Sequence, residues 1–260
     1  VYQTVINQIP PHRVYIEPFA GMGGVFRKKQ AADTSIMIDL SNEVVEFWEN
    51  RGFERMRVWD TRAADQGRYV YRGNALTFLA GNLPARWNNE QTVLYVDPPY
   101  PLATRRSSHR YDHELTDAEH DVLLNILLRL QCRILLSTYP NDLYRYKLTM
   151  AGWRLIEFQA RTRGGTMATE WLWMNFPEPT TLHDYRYAGG DYRQRERIRK
   201  RVKRFMRKFG QMDPLERNAI LEAINQATGG RSGTAETGDS GRNAMSELVL
   251  IDQNHLSSFA

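Results

Sequence analysis

The chain has 260 residues, 42% hydrophobic and 25% charged, with a single cysteine, Cys132. Those proportions exclude a fibrous or wholly disordered protein, and one thiol excludes a disulfide framework or a multi-cysteine metal site. The net charge of +5 hides an asymmetry: Tyr192 to Phe209 holds ten Arg or Lys and one Glu, so the rest of the chain is slightly acidic.

The first two thirds alternate strand-like and helix-like patterns. Val14-Tyr15-Ile16 is a β-prone run that ends at Glu17-Pro18, and Ile36-Met37-Ile38 is a second, ending at Asp39. Ser41 is a plausible N-cap for a helix carrying Val44, Val45, Phe47 and Trp48. Tyr69-Val70-Tyr71 is a third run, followed by Gly73-Asn74 and a helical Ala75 to Leu79. Val93 to Val96 is a fourth, ending at Asp97-Pro98-Pro99-Tyr100. Thr116 to Leu130 has helical periodicity, Arg133 to Ser137 is a fifth strand, and Trp153 to Gln159 with Glu170 to Phe176 form a closing pair. Continuous apolar strands separated by helices predict an α/β fold with a mainly parallel sheet buried on both faces. Ligands in such sheets bind beyond the carboxyl ends of the strands. Glu17, Asp39, Asn74 and Asp97 all follow apolar runs, which predicts that they line one edge.

The composition changes after Pro177. Gly189-Gly190 breaks the pattern, and the basic segment follows with Ile198, Val202, Phe205, Met206 and Phe209 on one face. Gly210 is a stop, and Asp213-Pro214-Leu215-Glu216 reads as a capping box opening a second helix to about Ala227. The expected division is a catalytic domain over 1–180, a basic helical hairpin over 181–227 and a disordered tail over 228–260. No run reaches the roughly 18 apolar residues of a membrane helix. Val1-Tyr2-Gln3-Thr4 has no basic n-region or apolar h-region, so no signal peptide and no membrane association are expected, and the expected location is the cytoplasm. His12, His109, His113, His120, His183 and His255 are scattered, and no metal is expected.

Three features carry chemistry. The Gly-rich turn Glu17-Pro18-Phe19-Ala20-Gly21-Met22-Gly23-Gly24 directly follows a strand, where glycines allow a ligand close to the backbone; alone it fits a simple strand-to-helix turn equally well. Asp39 ends the next strand, where an acid suits ribose hydroxyls, or a turn. Asp97-Pro98-Pro99-Tyr100 is the most specific. Two prolines remove two N–H donors and leave carbonyl acceptors, the aspartate adds an anionic acceptor, and the tyrosine offers a flat stacking face. That set suits a planar group bearing an exocyclic amine.

With these motifs in place the chain resembles, over about residues 7–177, the Dam-like family of S-adenosylmethionine-dependent DNA adenine-N6 methyltransferases found in bacteria and their phages. The resemblance implies a Rossmann-like class I methyltransferase sheet with a small helical C-terminal extension. It assigns Glu17, Pro18, Phe19, Ala20, Gly21, Gly23, Asp39, Leu40, Asn74, Ala75 and Asp97 to the cofactor S-adenosylmethionine, and Asp97, Pro98, Pro99 and Tyr100 to catalysis. The stretch Tyr111 to Leu124, with His120, is similar to the family's segment after the tetrapeptide, and Thr169 to Asn175 to its final strand. It implies that a flipped adenine presents N6 to Asp97 and Pro98 while Tyr100 stacks on the base. No covalent nucleophile is required, which leaves Cys132 as an ordinary strand residue. The departures are specific. Residues 1–12 hold no lysine where the family has a Gly-Lys element for the cofactor's carboxylate, and Asn74 stands where the family often has Asp. Only 57 residues separate Asp39 from Asp97, and they must hold a strand and two helices, so the target-recognition insertion is short.

Recognition of DNA must then come from elsewhere. The candidates are Arg105, Arg106, Ser108, Arg110 and Tyr111 after the tetrapeptide, Arg161 and Arg163 in a basic turn, and Arg197, Lys200, Arg201, Arg204 and Lys208 on the basic helix. The expected partner is duplex DNA and the favoured state a monomer. The alternatives are an RNA exocyclic-amine methyltransferase and a catalytically silent nucleic-acid binder.

Overall fold

All seven predicted strands are present, and an eighth joins them. The computed structural model describes residues 1–56, 66–101, 104, 113–161 and 165–229. In chain order the main elements are α1 (Tyr2–Ile6), β1 (Val14–Glu17), β2 (Thr34–Asp39), α2 (Asn42–Glu49), β3 (Glu54–Met56), β4 (Gly67–Arg72), α3 (Ala75–Thr77), β5 (Thr92–Val96), α4 (Asp117–Leu127), β6 (Arg133–Thr138), α5 (Asp142–Met150), β7 (Arg154–Arg161), β8 (Met167–Met174), α6 (Tyr192–Gly210) and α7 (Pro214–Gly229). The segment between Asp39 and Asp97 therefore carries the extra strand β3. Its three residues, Glu54-Arg55-Met56, show only one buried side chain, so no apolar run marks them.

The strands form one sheet in the order β3-β4-β2-β1-β5-β6-β8-β7. From β3 to β6 every neighbouring pair is parallel, whereas β8 runs antiparallel to both β6 and β7. This is the expected Rossmann-like α/β sheet. The chain moves outward from β1 to β2 and then to β4, and returns to the other side of β1 with β5. Such a reversal opens a crevice at the carboxyl ends of the two strands that flank it. Here those strands are β1 and β5, so Glu17 and Asp97 meet at the crevice, with Asp39 and Asn74 along the same edge.

Strand side chains alternate between the two faces, and each face has its own core. Ile16, Ile36, Ile38, Leu94, Val96, Ile134 and Leu136 pack against Leu123, Leu124 and Leu127 of α4 and Tyr144 and Leu148 of α5. Tyr15, Met37, Val70, Val93, Tyr95, Leu135 and Leu172 pack against Val5 and Ile6 of α1 and Val45 and Trp48 of α2. His120 belongs to the first core: it is fully buried and its Nδ1 lies 2.8 Å from the Tyr144 hydroxyl, joining α4 to α5. Cys132 is buried as well, and burial pushes its thiol up to about 12.

Helix caps differ in detail from the sequence signals. Ser41 occupies the N-cap of α2 but makes no side-chain cap bond; its N–H donates instead to Asp39 Oδ1 at 2.9 Å. The reciprocal capping box forms at Thr116 and Glu119 of α4. Before α7, Asp213 Oδ1 accepts from Leu215 N at 2.8 Å, one residue short of the Glu216 that a box would engage.

Val1–Lys200 form one compact unit, and a second begins at Arg201, inside α6. Residues 183–190 belong to the first unit as a strap. His183 N donates to Ile9 O at 2.9 Å, Gln30 N to Asp184 Oδ2 at 2.9 Å, Arg186 Nη2 to Lys28 O at 2.9 Å and Gly189 N to Asn7 Oδ1 at 3.0 Å. In the second unit Val202, Phe205, Met206, Leu215 and Ile224 are exposed. Ile198, Phe209, Ile220 and Leu221 are half-buried, so α6 and α7 cover their apolar residues only in part. Of the tail expected over 228–260, residues 228 and 229 instead extend α7, and the remainder lies outside the described residues.

Candidate cofactor and substrate site

The Gly-rich turn is held from three sides. Ala20 N donates to Ile38 O at 2.9 Å. Gly21 N donates to Asp39 Oδ2 at 2.9 Å. The Trp48 indole N–H of α2 donates to Gly21 O at 2.9 Å. Gly21 and Gly23 both lie in the left-handed region, at φ +44 and +57. At Gly21 an added methyl group would meet no protein atom within 4 Å, so that side of the loop is open. At Gly23 it would run into the Trp48 ring, so only glycine permits the packing of α2 beneath the turn.

Asp39 is half-buried and tied to the backbone at both oxygens, by Gly21 N and Ser41 N. The ligand role and the turn role therefore coexist in one side chain, because each carboxylate oxygen keeps a further lone pair. Leu40 is exposed beside it, and Arg72 at the end of β4 donates to its carbonyl at 3.3 Å. Asn74 caps α3: its Oδ1 accepts from Leu76 N at 2.8 Å and Thr77 N at 3.1 Å. The amide oxygen is thereby committed, which leaves the NH₂ donors for a ligand. That gives Asn a reason where an aspartate would present only acceptors.

Glu17 is buried beneath the turn. Its Oε1 accepts from the Tyr15 hydroxyl at 2.7 Å and from Phe26 N at 3.1 Å. Burial raises its carboxyl to about 8, the nearby Asp97 adds to the rise, and the two hydrogen bonds oppose it. Beyond Tyr15 lies Lys29, also buried, with Nζ 4.1 Å from the Tyr15 ring centroid, donating to Gln30 O at 2.8 Å and 3.4 Å from His12 Nε2. His12 Nδ1 faces Pro10 O at 2.9 Å. A carbonyl only accepts, so the proton sits on Nδ1 and Nε2 can accept from Lys29. Desolvation brings Lys29 down to about 7, despite Glu17 and Asp184, and lowers His12 as well. Lys29 thus lies close enough to Glu17 to interact with it, but it is spent on this internal network.

Asp97 leaves the end of β5 with its side chain open to solvent, while Pro98 and Tyr100 are buried. Its carboxyl is raised to about 6 by desolvation, and interactions with the Tyr100 and Tyr95 hydroxyls pull it back. Because water reaches Asp97 and screens it, that value is an upper limit. Tyr95 reaches across to β6, where its hydroxyl lies 3.1 Å from Ser137 Oγ. Tyr100 meets Tyr139, beyond the end of β6, with ring centroids 4.5 Å apart and planes at 69°. Burial raises the Tyr100 and Tyr95 hydroxyls most, Asp97 adds to the rise, and Glu170, buried within β8, adds a smaller share. The edge thus brings together a Gly turn, four carboxyl groups and a tyrosine cluster. It can hold an adenosyl group along β1 and β2 and a planar amine-bearing group at β5.

The structure gathers every sequence-predicted cofactor and catalytic residue at this edge. Sequence reasoning missed Trp48, Tyr95, Ser137, Tyr139 and Glu170. Trp48 and Tyr95 were legible only as apolar residues of a helix face and a strand. Tyr139 had a signal, since Thr138-Tyr139-Pro140 repeats the combination of strand exit, proline and tyrosine seen at Asp97 to Tyr100.

Of the basic candidates, Arg161 is exposed at the end of β7, with Nε donating to Gly165 O at 3.3 Å. As β7 runs parallel to β6, this turn emerges on the same sheet edge as Asp97. Arg197, Lys200, Arg201, Arg204 and Lys208 are all exposed on α6. Arg105, Arg106, Ser108, Arg110, Tyr111 and Arg163 lie outside the described residues. Among the described residues no group of three His, Cys, Asp or Glu could hold a metal ion, and no helix is long and apolar enough to cross a membrane.

No protein-family model and no curated protein matches the chain. Solved structures with a related arrangement include magnesium protoporphyrin IX methyltransferase from Synechocystis PCC 6803, 14% identical, with 67% of this chain and 75% of that one covered at a TM-score of 0.41. A SAM-dependent methyltransferase from Methanosarcina mazei is 11% identical over 67% of this chain and 96% of that one, also at 0.41. Precorrin 8w decarboxylase from Methanobacterium thermoautotrophicum is 13% identical over 67% and 87%, at 0.39.

Proposed function

We propose that the chain is an S-adenosylmethionine-dependent methyltransferase that methylates an exocyclic amine of a nucleic-acid base, adenine N6 of a flipped base in duplex DNA. The observation that carries this reading is the position of Asp97-Pro98-Pro99-Tyr100 at the carboxyl end of β5, across the crevice from the Gly turn of β1. The residues fit the cofactor: the loop is open at Gly21, Asp39 can accept from ribose hydroxyls, and Asn74 keeps donors for the adenine ring. When bound, S-adenosylmethionine supplies an electrophilic methyl group on a sulfonium.

The protein's part is alignment. Asp97 and the Pro98 carbonyl accept hydrogen bonds from the two amine protons, which turns the nitrogen lone pair out of the ring plane. Tyr100 supports the face of the base. Positioning of this kind can contribute about 7–11 kcal/mol to a transfer step. No nucleophile from the protein is needed, in keeping with a buried Cys132. The Arg161 turn and the basic face of α6 supply cations for phosphates, which fix the register of a duplex without reading it.

The test is methyl transfer from radiolabelled S-adenosylmethionine to plasmid DNA and to total RNA in parallel, with the modified nucleoside identified by mass. N6-methyladenine in DNA is the expected product. Label in RNA alone would move the reading to an RNA methyltransferase. No label in either, with S-adenosylmethionine still bound in calorimetry, would replace transfer to nucleic acid with another acceptor. No cofactor binding at all would leave a silent nucleic-acid binder.

A further inference from the structure

Tyr100 and Tyr139 pack against each other outside both cores. Tyr100 is buried to 8% exposure and Tyr139 is half-buried, yet neither ring is part of the apolar cluster on either face of the sheet. Their near-perpendicular contact at 4.5 Å is a favourable edge-to-face arrangement. The two residues leave adjacent parallel strands, since Val96 of β5 pairs with Leu136 of β6.

Tyr139 is itself held rigidly. Pro140 restricts the preceding residue to extended backbone. The Thr138 hydroxyl donates to the Tyr139 carbonyl at 3.1 Å. Asn141 then caps α5, accepting from Leu143 N at 2.9 Å and Tyr144 N at 3.3 Å. Two residues before Tyr139, Ser137 of β6 holds the Tyr95 hydroxyl of β5. The exit of β6 is therefore braced on both sides of an aromatic ring that meets Tyr100.

We infer that Tyr139 is a positioning residue: it fixes the plane of the Tyr100 ring, and so the plane in which the acceptor base stacks beside Asp97. The inference rests on the reading proposed above. A stacking ring free to turn would have to be ordered each time a base entered, and a braced ring has already lost that freedom. Tyr139 acts through its ring rather than its hydroxyl, which separates it from a hydrogen-bonding role.

The test uses the full chain with Tyr139→Phe and Tyr139→Leu, measuring kcat and KM for transfer from S-adenosylmethionine to the nucleic acid that the unmodified protein labels. Calorimetric affinity for S-adenosylmethionine and the melting temperature are measured alongside. The Leu variant is expected to lose about 2- to 12-fold in kcat/KM, the worth of one aromatic pair, with the loss in kcat and in KM for nucleic acid and none in cofactor affinity. The Phe variant is expected to restore wild-type values. A Leu variant that transfers normally would overturn the inference and leave the methyltransferase reading standing. A Leu variant that loses cofactor affinity or melts much earlier would make Tyr139 a structural residue and overturn it too. A Phe variant as impaired as Leu would place the role in the hydroxyl, also against it. Failure of the unmodified protein to label any nucleic acid would remove the reading on which it stands.

Discussion

The residues of the crevice make sharply different demands on their positions. Gly21 and Gly23 share a left-handed backbone, but only at Gly23 would an added methyl group strike Trp48. An alanine at Gly21 should therefore cost only the conformational penalty, about 1–2 kcal/mol. Gly23→Ala should cost clearly more, because the indole that holds the turn must also move; chemical denaturation of the two variants would show the difference. Asp97 makes a different prediction. Its carboxyl is raised toward 6, and only its ionised form accepts from an amine without donating. Transfer should rise with pH up to and through about 6 and then level off. Asp97→Ala should reduce transfer by about 10²–10³-fold or more, the usual cost of losing one preorganised partner, while calorimetry still detects S-adenosylmethionine. Loss of all cofactor binding would mean that Asp97 serves mainly the cofactor.

At the scale of elements, β1 carries an ionisable network through the middle of the fold. Glu17 is raised to about 8 by burial, so the folded protein holds a proton that the unfolded chain releases near the usual carboxylate range. Its contribution is complete below the unfolded value and is lost as pH rises toward 8. Lys29 and His12 work in the other direction. The lowered value of Lys29 adds stability as pH climbs above about 7, and that of His12 does so as pH rises toward its ordinary value. Comparison with Glu17→Gln separates the carboxyl from these bases. Between about pH 5 and 8 the melting temperature of the native protein should fall relative to that of the variant. A difference that stays constant with pH would place the proton elsewhere. Much of this architecture was legible in the sequence, because strands buried on both faces read as unbroken apolar runs. The edge strand β3 was not, since two of its three side chains are exposed. The strap escaped for a different reason: its bonds to Ile9, Gln30, Lys28 and Asn7 span about 150 residues or more, and most use backbone groups on at least one side. No residue type announces such contacts. The site was legible wherever a motif forces a backbone shape, as at Asp97 to Tyr100, and illegible where a common side chain such as Trp48 acquires its role from packing.

For the whole molecule, charge distribution sets what can be tested. Arg197, Lys200, Arg201, Arg204 and Lys208 are exposed on one long helix. Replacing these five with Gln leaves the crevice untouched. Each cation removed from a phosphate should reduce the slope of log affinity against log salt by about 0.9 on duplex DNA, so the variant's slope should be shallower by up to about 4–5 units. Fluorescence anisotropy on a duplex across a salt series would measure it, and an unchanged slope would show that the helix does not meet the phosphates.

The sheet order has a further consequence for how the chain is made. Of the strands in this sheet β1 is made first, and it ends in the middle, between β2 and β5. Its partner on one side begins about 20 residues after Val14, whereas Thr92 to Val96 on the other begins nearly 80 residues after Val14. Until then Val14-Tyr15-Ile16 offers an open apolar edge, the kind of surface on which nascent chains pair with one another. A chain interrupted before Thr92 would keep that edge permanently, and its fate would be aggregation rather than partial function.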